Sequence, residues 1–103
     1  MINVHFIKSG EHYKHVSAKG HAYAGEPGED LVCAAVSSIM FGICNALNEI
    51  TKINDIEILE NEIFINIKKP NSKTDLILET LKIELETVRE TNKRYLRLKE
   101  TEE

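Results

Sequence analysis

DLVCAAVSSIMFGICNALNEI, residues 30–50, is the stretch on which the fold turns. Val32, Ala35, Val36, Ile39, Met40, Ile43 and Leu47 recur at three- and four-residue spacing, the period of an amphipathic helix. Asp30 stands ahead of this pattern as a cap, its carboxylate placed to accept from backbone N–H groups two or three residues on, including that of Cys33. Ala34, Ala35, Ser37, Ser38 and Gly42 keep one side slim, so the helix can be almost wholly buried and admit another backbone closely.

On both sides of this helix the period changes to two. Ile2, Val4 and Phe6 alternate with Asn3, His5 and Ile7, which predicts a half-buried strand. Ser9, Gly10 and Glu11 form a turn, and a second strand over residues 13–19 returns antiparallel and ends at Gly20. After the helix, Ile56 and Ile58, a turn at Glu60 to Glu62, then Ile63, Ile65 and Ile67 predict a second hairpin of β-branched residues suited to a pleated surface. Pro70 closes it. Ser72 and Asp75, three residues apart, predict a capping box for a second helix reaching about Thr91, with Ile77, Leu81, Leu85 and Val88 inward. Tyr95 to Lys99 alternates again and predicts a last short strand. The order ββαββαβ predicts an α+β fold: residues 1–103 as a single domain, a mixed β-sheet with two helices packed on one face, and the other face solvated or used. Phe41 is expected in the core, and the isoleucines of the second hairpin leave room for a dimer.

The chain has 103 residues, enough for one modest core. With 42% apolar and 29% charged residues it has the composition of a globular protein rather than a disordered tail. A net charge of −4 weighs against nonspecific or direct nucleic-acid binding, which needs a basic surface. No apolar run is long enough to suggest a membrane span, and MINVHFIKSGEH lacks the basic-then-apolar order of an export signal. The expectation is a cytoplasmic protein without membrane contact, in a reducing compartment where its two cysteines stay unpaired. Cys33 and Cys44, eleven residues apart on one helix, would lie roughly 16 Å apart along its axis. A disulfide needs Cα atoms within about 7 Å, so Cys44 is expected to be a small buried apolar residue.

The candidate chemistry lies in GHAYAGEPGEDLVCAAVS, residues 20–37, where His21 and Cys33 flank a loop containing Gly25, Pro27 and Gly28. A cysteine in the first turn of a helix sits beside the partial positive charge of unpaired backbone N–H groups, which favours a nucleophilic sulfur. An imidazole brought to it completes a nucleophile and base pair. The plain alternative is a cysteine packed beneath the loop. Ser37, one turn further on the same face, either bonds toward the site or keeps the helix slim. Tyr23 and Glu26 either touch a substrate or stay solvated. A zinc set of His12, His15, His21 and Cys33 lacks the close ligand spacing of strong zinc motifs, so neither metal nor cofactor is expected.

At these residues the chain resembles a known family. GHA at 20–22, the acidic glycine loop ending in Asp30, VCAAVS at 32–37, then Phe41 with Gly42 and Asn45 with Ala46, are similar to the ribosomal-processing cysteine protease family, called Prp. The resemblance runs over nearly the full length in element order and size, and is sharpest in the first half. Leu31 stands where isoleucine is usual, and the loop carries Pro27. The resemblance implies a cytoplasmic cysteine endopeptidase that removes the N-terminal extension of a large-subunit ribosomal protein, L twenty-seven, cutting after a phenylalanine in an apolar precursor segment. It implies His21 and Cys33 as the catalytic pair, a homodimer, and the glycine loop from Gly20 through Gly25 and Gly28 as a flexible cover that orders around the peptide. Asp30 then fixes the loop and caps the helix, or orients His21. Backbone N–H groups at the helix start, near Cys33, would be the oxyanion donors. The alternative from another class is a noncatalytic ribosome-assembly or peptide-binding module that grips the same extension.

Overall fold

The alternating N-terminal residues form β1 (Ile2–Ser9), which turns at Gly10 into β2 (His12–Lys19). The computed structural model describes residues 1–20 and 29–103, and after the interval the chain continues as α1 (Glu29–Thr51), β3 (Ile56–Ile58), β4 (Glu62–Asn66), α2 (Ser72–Glu90) and β5 (Leu96–Glu102). The element order is therefore the ββαββαβ expected from the periodicities. The five strands make one sheet in the order β3-β4-β2-β1-β5. All neighbours are antiparallel except β1 and β5, which run parallel. A parallel neighbour cannot be reached by a tight turn, and α2 precedes β5 as the connection that brings the chain back.

Period two decides which side chains meet the helices. Ile2, Val4 and Phe6 of β1, Val16 and Ala18 of β2, Ile65 of β4 and Leu96 of β5 are buried in one cluster with Val36, Met40 and Leu47 of α1 and Leu78, Leu81 and Leu85 of α2. Both helices thus cover the same face. In the β1–β2 hairpin the register shifts between Ile7, opposite His15, and Lys8, opposite Tyr13. The extra residue, Lys14, is a bulge that lets Tyr13 and Val16 both point inward.

Several expectations shift. The cap of α2 is Asn71, not Ser72: its side chain accepts from the amides of Lys73 at 2.9 Å and Thr74 at 3.0 Å, and Thr74 Oγ1 accepts from the Asn71 amide at 3.0 Å. The inward residues of α2 are accordingly Thr74, Leu78, Leu81 and Leu85, with Ile77 and Val88 at the margin. β5 runs three residues beyond Lys99, because its parallel register with β1 continues to Lys8 opposite Glu102. Phe41 is 44% exposed, so it is not core. Leu31 and Ile50 are also exposed, and α1 buries one stripe rather than its whole surface. Residues Leu31–Thr51, with mean hydropathy 1.7, are by length and composition apolar enough to cross a membrane. Serines and asparagines interrupt the run in the sequence without lowering its mean enough, and in the fold its buried stripe joins the core.

Candidate active site

Because α1 begins at Glu29, Asp30 is its second residue and Cys33 its fifth. Asp30 therefore stands inside the helix rather than ahead of it. In such a helix the amide of Cys33 belongs to the ladder of bonds to the carbonyl four residues earlier. The unpaired donors of the helix start lie upstream of the thiol, not at Cys33 itself.

Cys33 is half-buried, and it lines a cleft of about 110 Å³ between α1 and the β3–β4 turn. Ser37 and Phe41 follow it at four-residue intervals on the same wall, as helical spacing requires. Ile2, Ala18, Val36 and Met40 form the inner apolar surface, and Ile58 to Ile63 form the opposite wall. Gly20 completes the rim. Its φ of +88° is strained for any residue with a side chain, and a Cβ there would fall 2.5 Å from the Met1 carbonyl oxygen. Its N–H donates to the carbonyl of Asn61 at 3.1 Å, tying the end of β2 to the β3–β4 turn.

Of the expected site residues, the structure brings Gly20, Cys33 and Ser37 to one cleft. His21, Gly25 and Gly28 lie outside the described residues, as do Tyr23, Glu26 and the expected loop cover; so does the side chain of Asp30. The residues that sequence reasoning missed are Phe41 and the β3–β4 wall. Phe41 was within reach, since it stands eight residues after Cys33 on the same helical face. The wall was not, because nothing local ties Ile58 to Cys33.

The other histidines have structural partners. His12 Nδ1 lies 2.6 Å from Asp75 Oδ2, His15 engages the Asn66 side chain, and His5 Nε2 lies 2.8 Å from Thr101 Oγ1. Asp75, placed by its sequence spacing in a capping box, instead accepts from His12 and from the Tyr13 amide, tying α2 to β2. Among the described residues, no group of three or more His, Cys, Asp or Glu gathers where a metal ion would be held. Cys44 is 6% exposed in the core, and burial pushes its thiol up from the ordinary range.

The family model described as cysteine protease Prp matches residues 1–97. The chain belongs to the Prp family of cysteine proteases. The ribosomal processing cysteine protease Prp of Staphylococcus aureus is 36% identical over 83 residues, spanning 77% of this chain and 78% of that one. The crystal structure of the essential ribosomal processing protease Prp from S. aureus with a substrate peptide is similar at a TM-score of 0.87 and 31% identity, covering 97% of this chain and 99% of that one. The S. aureus Prp structure with a covalently linked product peptide gives a TM-score of 0.85 and 32% identity over the same shares, 97% and 99%. As a Prp-family chain, this protein offers two thiols, and they differ in access: Cys33 opens onto a cleft while Cys44 is sealed in the core.

Proposed function

We propose that this chain is a cysteine endopeptidase that removes the N-terminal extension of ribosomal protein L twenty-seven during ribosome maturation, with Cys33 as nucleophile and His21 as base. The observation that carries this reading is the half-buried thiol of Cys33 in an apolar cleft whose rim is formed by Gly20, the residue before His21. A covalently linked product in the S. aureus relative supports a covalent route.

The chemistry balances with these two groups and water. His21 takes the thiol proton, and the sulfur attacks the scissile carbonyl carbon. The C–N bond breaks as His21 returns the proton to the leaving amine. Water then attacks the thioester, releasing a carboxylate and restoring the thiol. Free amides at the start of α1 supply donors for the oxyanion. The apolar walls at Phe41, Ile58 and Ile63 suit an apolar precursor segment. We further propose a cytoplasmic homodimer, for which light scattering should return twice the chain mass of 11.7 kDa.

The test is incubation with the ribosomal precursor and measurement of product mass. Wild-type protein should release the extension as one fragment, and Cys33→Ala should abolish release while retaining peptide binding. Cleavage retained by Cys33→Ala would end the nucleophile assignment. Binding without cleavage by the wild type would establish the noncatalytic peptide-binding module in its place.

A further inference from the structure

We infer that the substrate's main chain is held as an added strand on the free edge of β3, paired with Ile56 and Ile58, so that its inward side chains meet Phe41 and the Cys33 cleft. This rests on the peptidase reading above and concerns how the peptide is gripped.

β3 is the terminal strand of the sheet. The Leu59 amide donates to the Glu62 carbonyl at 2.8 Å, and the Asn66 amide donates to the Asp55 carbonyl at 3.0 Å. Residues 55 and 59 therefore turn their main-chain groups toward β4. Alternate residues of an extended chain point oppositely, so Ile56 and Ile58 present N–H and C=O away from the sheet. Among the described residues, no backbone hydrogen bond beyond the sheet ladders and no side-chain hydrogen bond involves either one. Such an edge is a template for another strand, and proteins commonly protect edges that are not meant to pair.

The two edges of this sheet differ in that respect. β5 exposes a series of charged residues, Arg97, Lys99, Glu100 and Glu102. β3 and its turn carry the exposed Glu57 and Glu60 but also expose Ile58 at 52% and Leu59 at 49%, facing an exposed Phe41 across the cleft. Ile58 and Leu59 belong at once to the open edge and to the wall opposite Cys33. That continuity selects the occupant. A cysteine protease must hold its substrate extended at the thiol, and β3 is the edge that borders this thiol's cleft, where the exposed Ile58 and Leu59 stand between Glu57 and Glu60. Main-chain pairing would supply affinity, and the alternate side chains entering the cleft would supply selection.

The experiment uses a synthetic peptide of the precursor extension and a series in which each backbone amide in turn is N-methylated. Binding is measured on Cys33→Ala protein, and cleavage on wild type. Strand addition predicts that affinity falls tenfold or more at every second position on one side of the scissile bond, with intervening positions within twofold. It also predicts slowed hydrogen exchange of the Ile56 and Ile58 amides on peptide binding. Ile58→Pro, which removes an outward donor without touching the β4 ladder, should raise Kd about tenfold while leaving the melting temperature within a few degrees. A flat N-methylation profile, or unchanged exchange at both amides, overturns the placement. Exchange already slow without peptide, and dependent on protein concentration, also overturns it, by assigning the edge to a second copy of this chain. Tight binding without wild-type cleavage would instead overturn the peptidase reading, while the N-methylation profile would still decide the strand.

Discussion

Cys33 and Cys44 share one helix but not one environment, and that contrast can be measured. Cys33 faces the cleft, while burial both shields the Cys44 thiol and pushes it up. Iodoacetamide near neutral pH should therefore modify Cys33 first, with peptide mass mapping showing little label at Cys44 until the protein unfolds. Preferential labelling of Cys44 would contradict the packing described. Gly20 is the second residue whose identity the structure explains. A side chain there meets a left-handed backbone and a backbone carbonyl that cannot swing aside. Gly20→Ala should cost about 1–2 kcal/mol from the backbone conformation alone, read as a lowered urea midpoint, and more if Met1 must shift. Because Gly20 rims the Cys33 cleft, the same change should depress cleavage. Cys44 as a buried apolar residue was legible from its helical position. For Phe41 the shared face with Cys33 was legible but its exposure was not, since an aromatic residue in an apolar run reads as core unless the neighbour across the gap is known.

Helix ends show how far local chemistry carries. α1 ends with Lys52 at φ +62°, its amide donating to the Asn48 carbonyl at 3.0 Å. This is the left-handed termination usually filled by glycine. Lys52→Gly should raise stability by about 0.5–1 kcal/mol, seen as a higher urea midpoint with unchanged slope. At the other helix, Ser72 with Asp75 and Asn71 with Thr74 are adjacent candidates for the same cap, one residue apart. The helix adopts the second because Asn71 is extended, at φ −151° and ψ −179°, and Thr74 is fully buried, where its hydroxyl needs the bond. Sequence spacing alone could not choose between them. It was the burial of Thr74, a tertiary fact, that set the register.

At the scale of the molecule, Tyr13 joins three elements. Its hydroxyl donates to Glu79 of α2 and lies 3.5 Å from Glu100 of β5, to which Lys82 Nζ donates at 3.0 Å. Its ring meets Phe6 edge-on at 5.8 Å between centroids. Burial, and then the Glu79 carboxylate, push the phenol well above its ordinary value of 10.0. The unfolded chain therefore gives up this proton first, and the folded state is penalised once pH exceeds about 10. The tyrosine's share of stability is fully present below that pH and is lost as pH rises beyond it. Lys82, also raised, chiefly by its bond to Glu100, acts in the same direction. Urea midpoints measured from pH 9 to about 11.5 should fall in the wild type, and Tyr13→Phe should fall less steeply. An equal slope in both would remove Tyr13 as a source of alkaline lability.

Two strand–turn–strand units, two helices, their order, and a cysteine near the start of a slim helix were determined by the sequence alone. These follow from periods and turn residues that act over a few neighbours, so each segment carries its own signal. The tertiary structure alone decided that β5 lies parallel beside β1, that β3 becomes an edge strand, and that Ile58 and Leu59 face Cys33 across a cleft. Those pairings depend on which arrangement lets both helices bury their stripes on one face of a single sheet. That is a property of the whole core, and no single segment contains it.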